Sequence, residues 1–287
     1  MKENLQKMSK KAGESNKMKI GNREFDVDNH TYIMGILNVT PDSFSDGGKY
    51  NEMDQALFRV EQMIKEGMDI LDIGGESTRP GYAMISVEEE IGRIVPTIDG
   101  IKSRFDIPIS LDTYKSKVAQ AGIQAGVDLI NDIWGLKYEK QMAGVIAASG
   151  KACCLMHNRK EAFYQNYIQD VLADLEETLE IAKKAGIERD KILLDPGIGF
   201  AKTYEQNLFL LQQLEVLHSF GCPILLGTSR KSVIGLTLDV PASERVIGTV
   251  ATTVMGVLKG CSFVRVHDIR ENVEAIKMTE AVLHAAV

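Results

Sequence analysis

PISLDTYKSKVAQAGIQAGVDLINDI, residues 108–133, contains the unit that decides the fold. Two short apolar runs within it, PISLDT from Pro108 and LINDI from Leu129, have the length and composition of buried β-strands. The longer segment between them ends near Gly126, and glycine commonly follows the last residue of a helix because it adopts the left-handed conformation. The stretch therefore predicts a strand, a helix and a second strand.

The same unit recurs along the chain. The six other strand-like runs are TYIMGILNV (31–39), DILDIGG (69–75), KACCLMHN (151–158), KILLDPG (191–197), CPILLGTSR (222–230) and FVRVHD (263–268). Between the runs, apolar residues recur every three or four positions, as from Val171 to Ala182 and from Leu208 to Leu217, which indicates helices. Eight strands followed by helices predict a single-domain (β/α)8 TIM barrel, because an open doubly wound sheet typically has about five to seven strands.

The whole chain of 287 residues fits one such barrel. We assign residues 20–287 to the barrel, residues 1–19 to a polar N-terminal tail, and residues 22–28 to a short hairpin or plug at the barrel base. The tail has no apolar stretch of the kind found in signal peptides, and no apolar run reaches about 18 residues. A cytoplasmic protein is therefore predicted.

Charge and cysteine content restrict the partners. The formal net charge of −7 argues against nucleic acid or an anionic membrane as a partner, since both favour basic surfaces. An anionic substrate would thus need a local positive site. The four cysteines show no C-x-x-C spacing, and Cys153 and Cys154 lie in an apolar run, so reduced core thiols are predicted rather than disulfides or a zinc site.

Polar residues stand at the carboxyl end of every predicted strand, where a TIM barrel builds its active site. Asp112 or Asp195 alone could equally cap the next helix. Together, so many polar groups around one mouth are costly to bury unless a ligand uses them. His157 remains open, because a satisfied wall histidine is as consistent with its position as a ligand is.

Two glycine-rich loops follow the first two barrel strands, NVTPDSFSDGG (38–48) and ESTRPG (76–81). Their glycines give the backbone freedom, and polar loops over a barrel mouth commonly close on a substrate. We predict that both are lids, with ordinary surface loops as the alternative.

At this point the chain resembles the dihydropteroate synthase family. The motifs that carry the resemblance, in order between residues 33 and 268, are NVTPDSFSDGG (38–48), DIGGESTRPG (72–81), SLDT (110–113), LINDI (129–133), DPGIGFAK (195–202), GTSRKS (227–232) and RVHD (265–268). This family condenses (7,8-dihydropterin-6-yl)methyl diphosphate with 4-aminobenzoate, releases diphosphate and uses magnesium. The resemblance also implies a homodimer.

The resemblance implies three groups of site residues. The pterin diphosphate would contact Thr78, Asp112, Asn131, Met156, Asp195, Lys231, Arg265, Val266 and His267. Aminobenzoate would contact Phe44, Thr78, Pro80, Phe200, Lys202 and Ser232, and Asn38 would hold Mg²⁺. The catalytic set would be Asp46, Arg79, Lys231 and Arg265.

The residue types suit these assignments. A pterin ring carries a guanidine-like edge of N–H donors, which the side-chain oxygens of Asp112, Asn131 and Asp195 can accept. Lys231 can donate to the pterin carbonyl, whereas Arg265 supplies charge for the diphosphate.

Two alternative functions remain at this point. A methyltetrahydrofolate:corrinoid methyltransferase would share the ring-binding residues but would need no diphosphate site. A noncatalytic pterin-binding paralogue would be expected to lack a lid or anion residue, and none is missing from the motifs.

Overall fold

Ten β-strands occur in the parts of the chain that the computed structural model describes, which are residues 16–39, 49–76 and 84–286. They are β1 (Lys17–Ile20), β2 (Arg23–Asp26), β3 (Tyr32–Asn38), β4 (Ile70–Gly74), β5 (Ile109–Asp112), β6 (Leu129–Asp132), β7 (Ala152–Met156), β8 (Ile192–Asp195), β9 (Leu225–Leu226) and β10 (Phe263–Val266). Strands β3 to β10 lie within the eight runs identified in the sequence, and so these strand predictions are confirmed.

Strands β3 to β10 form one parallel sheet in the order β8-β7-β6-β5-β4-β3-β10-β9. The two ends of this sheet meet through a parallel bridge between Leu194 and Ile224. The Leu194 N–H also donates to the Pro223 carbonyl oxygen over 3.0 Å. These contacts join the first and last strands of the sheet, which closes it into a barrel and confirms the (β/α)8 fold.

Helices follow the barrel strands. They are α1 (Lys49–Glu66), α2 (Val87–Lys102), α3 (Ser116–Ala125), α4 (Gln141–Ser149), α5 (Tyr167–Ala185), α6 (Tyr204–Gln212), α7 (Ser232–Leu238), α8 (Val246–Leu258) and α9 (Ile269–Leu283). Helix α3 ends where predicted, because Gly126 adopts a φ of 105° and its N–H donates to the Gly122 carbonyl oxygen.

The continuous helix predicted from Leu208 to Leu217 is wrong. Helix α6 ends at Gln212, and a 3₁₀-helix, Leu214–Phe220, follows it. The leucines are spaced by three residues, which is the period of a 3₁₀-helix, and so Leu214 and Leu217 both face the core.

The hairpin of β1 and β2 closes the amino-terminal end of the barrel. Its apolar side chains, among them Met18, Ile20 and Phe25, are buried against barrel-lining residues such as Met34 and Phe263. The hairpin is therefore present, but it spans Lys17–Asp26 instead of the predicted residues 22–28, and its first strand begins within the stretch assigned to the tail. Within the described residues, no helix is long and apolar enough to cross a membrane.

Candidate functional site

Four strand-end positions lie side by side at the carboxyl end of the barrel. Asn38 is paired with Gly74, Gly74 with Asp112, and Asp112 with Asn131 on successive neighbouring strands. Asp112 and Asn131 are each only 4% exposed. The register of the parallel sheet thus brings three of the predicted ligands into one row.

Arg265 lies between two carboxylates instead of standing free at the rim. Its Nε donates to Asp72 Oδ2 over 2.6 Å, and its Nη2 donates to Asp112 Oδ2 over 2.8 Å. Asp72 is fully buried and also accepts a hydrogen bond from the Ser110 hydroxyl. The sequence indicated a diphosphate contact for Arg265 but not this pairing, which leaves Nη1 as its donor without a hydrogen bond to a described residue.

Asp112 has one oxygen without a partner. Its Oδ1 is the only buried side-chain nitrogen or oxygen in the described part of the chain that makes no hydrogen bond. Burial raises the pKa of Asp112, the Arg265 guanidinium opposes that rise, and the Asp72 carboxylate adds to it. A buried acceptor of this kind is costly unless a ligand donates to it.

Asp195 and Lys231 flank the same space from the other side. A Cβ atom placed on Gly227 would lie 3.4 Å from Asp195 Oδ2, 3.7 Å from Lys231 Nζ and 4.0 Å from Arg265 Cβ. Glycine at position 227 therefore keeps this space open. Burial lowers the pKa of Lys231 to about 8, although the Asp195 carboxylate opposes the shift, and burial raises the pKa of Asp195.

An apolar wall borders these charged groups. Met156 packs with Tyr114 and Ile133, and the partly buried Trp134 and Phe200 lie against them. Lys231 Nζ lies 4.8 Å from the centroid of the Phe200 ring. Met156 and Phe200 were identified from the sequence, but Tyr114, Ile133 and Trp134 were not. These three lie within two residues of the ends of β5 and β6, and that position could have identified them.

Two predicted ligands have side chains directed elsewhere. Val266 is part of the core between the barrel and its helices, so only its backbone could reach a ligand. Lys202 Nζ donates to the carbonyl oxygens of Gly197 and Phe200 and to His157 Nδ1. A direct contact of Lys202 with aminobenzoate stays a prediction, and these three bonds oppose it.

His267 and Ser232 lie at the mouth on the side of β10 and α7. The His267 ring places Nδ1 2.9 Å from the Ser229 hydroxyl oxygen. Ser232 is the first residue of α7 and is exposed. Both positions are compatible with contacts to an anion, and their roles stay predictions.

A buried ionic cluster beside the site was not predicted. Lys115 Nζ lies 2.5 Å from Glu76 Oε2 and 2.8 Å from Glu90 Oε2, and the Tyr114 hydroxyl donates to Glu76. Burial alone would lower the pKa of Lys115. Its bonds to Glu76 and Glu90 outweigh that effect, so the pKa of Lys115 is raised. The cluster fixes the residues that follow Asp112, and nothing in the sequence pairs Lys115 with Glu90.

The remaining predicted site residues, Phe44, Asp46, Thr78, Arg79 and Pro80, lie outside the described residues. The predicted lids fall largely in the same two segments, 40–48 and 77–83.

The chain is similar to known proteins over most of its length. A family model described as pterin binding enzyme matches residues 34–267. A dihydropteroate synthase of Clostridium beijerinckii is 59% identical over 93% of this chain and 99% of its own length, and one of Bacillus subtilis is 50% identical over 88% and 89%. A crystal structure of a Clostridium difficile dihydropteroate synthase with pteroic acid has a TM-score of 0.89 and 47% identity, covering 91% of this chain and all of that one. A Xanthomonas albilineans dihydropteroate synthase with 4-aminobenzoic acid has a TM-score of 0.90 and 37% identity, covering 95% and 100%.

Proposed function

Because this chain belongs to the pterin-binding enzyme family and, within it, to the dihydropteroate synthases, we propose which of its residues perform the reaction. The reaction joins (7,8-dihydropterin-6-yl)methyl diphosphate to 4-aminobenzoate. The unpartnered Asp112 Oδ1 is the single observation that carries the assignment of the pterin pocket.

The pterin ring would lie among Asp112, Asn131, Asp195 and Lys231. Its amino and ring N–H groups would donate to Asp112 Oδ1 and Asp195 Oδ2, and Asn131 would supply its side-chain amide. The Lys231 ammonium would donate to the ring carbonyl. The flat faces of the ring would contact the apolar wall that includes Met156.

The charges of these residues suit the bond changes. As the bond between the pterin methylene and the diphosphate oxygen breaks, its electron pair leaves with diphosphate and positive charge develops on the pterin. The Asp112 and Asp195 carboxylates stabilise that positive charge, and Arg265 Nη1 and His267 face the developing anion. The amine of aminobenzoate then bonds to the methylene, and the resulting anilinium loses a proton to water.

We propose that magnesium is held at this site together with the diphosphate. Within residues 16–39, 49–76 and 84–286, no group of three or more His, Cys, Asp or Glu side chains could hold a metal ion. Asn38 offers one amide oxygen at the end of β3. Mg²⁺ commonly takes one or two protein ligands, with substrate phosphates and water completing its shell, so we propose that Asn38 is its protein ligand here and that the ion neutralises charge on diphosphate.

Formation of pteroate from the two substrates, measured with and without Mg²⁺, tests this function. We expect product with Mg²⁺ and little without it, and no tight Mg²⁺ binding in the absence of diphosphate. Methyl transfer from methyltetrahydrofolate to a corrinoid, without pteroate formation, would instead support the alternative enzyme.

The affinity for a dihydropterin is expected to fall both at low pH and at high pH. Burial raises the pKa values of Asp112 and Asp195, so their acceptor oxygens become protonated as the pH falls towards the acid side. The pKa of Lys231 is lowered to about 8, so the ammonium is lost as the pH rises above that value. Calorimetry should show the tightest binding below pH 8. Lys231→Arg, which stays charged, should remove the weakening above pH 8, and a pH profile identical to that of the wild type would contradict this explanation.

We propose a homodimer formed through α8. Ile247, Ala251, Met255 and Leu258 form an exposed apolar stripe on this helix, and Ile247 is 76% exposed. A contiguous apolar stripe of this kind favours a partner with the same stripe.

Ile247→Asp is therefore expected to convert a dimer of the 31.7 kDa chain into a monomer, as measured by sedimentation. Phe58→Asp is the control, because Phe58 is comparably exposed at 64% but lies on α1. A wild-type monomer, or dissociation by both variants alike, would contradict the proposal.

The cytoplasm is the proposed location. All four cysteines are buried and free, and secreted proteins of an oxidising compartment more often carry paired cysteines. Cell fractionation with an antibody to the chain would test it.

A further inference from the structure

The loop between β8 and α6, residues 196–203, packs tightly between the backbone of His157 and the side chain of Lys231. A Cβ atom placed on Gly197 would lie 2.0 Å from the His157 carbonyl oxygen, and one placed on Gly199 would lie 3.1 Å from Lys231 Cδ. Both glycines have positive φ values, 70° and 85°. The path of this loop is therefore set by close packing against His157 on one side and Lys231 on the other.

The side chain of Lys202, itself a residue of this loop, holds the loop in place through three hydrogen bonds. Its Nζ donates to the Gly197 carbonyl oxygen over 2.9 Å, to the Phe200 carbonyl oxygen over 3.1 Å and to His157 Nδ1 over 2.8 Å. Burial lowers the pKa of Lys202 to about 7, and the Asp195 carboxylate opposes that shift. An ammonium has three N–H donors, so none is left for a ligand.

His157 is held in one protonation state by its two neighbours. Because the ionised Asp174 carboxylate can only accept, the ring proton is on Nε2, which lies 2.9 Å from Asp174 Oδ2, and Nδ1 is left to accept from Lys202 Nζ. Burial lowers the pKa of His157 to about 4, which keeps the ring neutral. Asp174 is fixed in turn by the Arg159 guanidinium.

The loop that Lys202 holds also positions two of the proposed pterin ligands. The Ile198 carbonyl oxygen accepts from Lys231 Nζ over 2.5 Å, and the Gly197 N–H donates to Asp195 Oδ1 over 2.7 Å. We propose that Lys202 is a positioning residue for the pterin pocket, supported by His157 and Asp174, and not a ligand of aminobenzoate. This inference rests on the proposed function, because it assigns Lys231 and Asp195 to the pterin.

The two roles of Lys202 predict different losses. If its ammonium contacted aminobenzoate, Lys202→Met would raise only the KM for aminobenzoate. If it holds the loop, the variant should also bind a simple dihydropterin more weakly when aminobenzoate is absent. We expect that affinity to fall on the order of 10-fold, since small displacements of a binding group are expensive.

The supporting role of His157 can be tested by two amide substitutions. The amide oxygen of asparagine can take the place of Nδ1, whereas the amide nitrogen of glutamine takes the place of Nε2 and leaves Lys202 without its acceptor. His157→Asn should therefore retain dihydropterin affinity close to that of the wild type, and His157→Gln should lose about as much as Lys202→Met. This order would not follow from a general loss of stability.

Calorimetry with a dihydropterin lacking phosphate, on the full chain without aminobenzoate, measures the wild type, these three variants and one control variant. Lys102→Met is the control, because Lys102 is also a lysine held by the protein, through its ion pair with Asp128, but lies at the other end of the barrel, and this variant should bind like the wild type. The fluorescence of Trp134, the only tryptophan, should change in Lys202→Met, because Trp134 and Phe200 pack against the same cluster.

Unchanged dihydropterin affinity in Lys202→Met, with a raised KM for aminobenzoate, would overturn the proposal and restore the ligand role. Equal losses in His157→Asn and His157→Gln would also overturn it, and this comparison still applies if Lys202→Met fails to fold. A wild-type protein that binds no dihydropterin would instead contradict the proposed function itself.

Discussion

Replacing Asp112 with asparagine is expected to weaken binding of a dihydropterin by roughly 10- to 100-fold, the loss that follows from removing one charge-assisted hydrogen bond. Asp112 Oδ1 is buried and has no partner in the described protein, so the ligand would supply its hydrogen bond. Asparagine keeps the shape of the side chain but removes its charge. Calorimetric titration of the variant and of the wild type at pH 7 measures the difference.

Asp128→Asn provides the control for this experiment. Asp128 is also a buried carboxylate paired with a cation, Lys102, but it lies at the base of the barrel. This variant should lose stability and keep its dihydropterin affinity. If Asp112→Asn binds as tightly as the wild type while Asp128→Asn does too, Asp112 does not contact the pterin.

Replacing Arg265 with methionine is expected to reduce the free energy of unfolding by about 3–5 kcal/mol, the usual cost of leaving a buried charge without its partner. Here two carboxylates lose the same cation, because Arg265 bonds to both Asp72 and Asp112. Urea unfolding would measure the loss. A second substitution, Asp72→Asn, should recover part of it, since it removes one of the two unpaired charges.

Arg93→Met serves as the comparison for stability. The side chain of Arg93 is 19% exposed, against 18% for Arg265, but its partner Glu89 is 51% exposed. Pairs with an exposed partner contribute about 0–1 kcal/mol, so the loss should be much smaller. Equal losses in the two arginine variants would show that Asp72 and Asp112 do not depend on Arg265.

The contact between Arg265 and Asp112 also changes the ligand affinities expected for Arg265→Met. The sequence suggested that Arg265 serves the diphosphate alone, in which case a dihydropterin without phosphate would bind normally. Because Arg265 also orients Asp112, we expect affinity for both ligands to fall, and more steeply for the diphosphate.

The sequence predicted the barrel and the positions of its strand-end residues because both depend on local pattern. A buried strand is a short apolar run, and parallel strands bring their carboxyl ends to one mouth, so Asp112 and Asn131 could be placed together before any contact was known.

The pairing of side chains was not predictable in the same way. Arg265 is 193 residues from Asp72 and 153 from Asp112 along the chain, and a motif does not reveal whether its cation faces a ligand or another side chain. Lys202 illustrates the same point, because its motif position suggested a ligand, whereas its ammonium donates to the protein. Local spacing was misleading for the leucines from Leu208 to Leu217. Their spacing of three residues fits both an α-helix and the 3₁₀-helix that follows α6.

The hairpin of β1 and β2 covers the base of a barrel whose interior is itself filled by inward-pointing side chains. The base offers no space for a ligand in the described residues, and so the substrates of the proposed site would enter and leave past the carboxyl ends of the strands. If the pterin contacts the buried Asp112 and aminobenzoate contacts exposed residues at the mouth, such as Ser232, as proposed above, the pterin is expected to bind first. The sequence in which the substrates arrive is then a consequence of depth, and the joined product has to depart by the same route before another pterin can take its place.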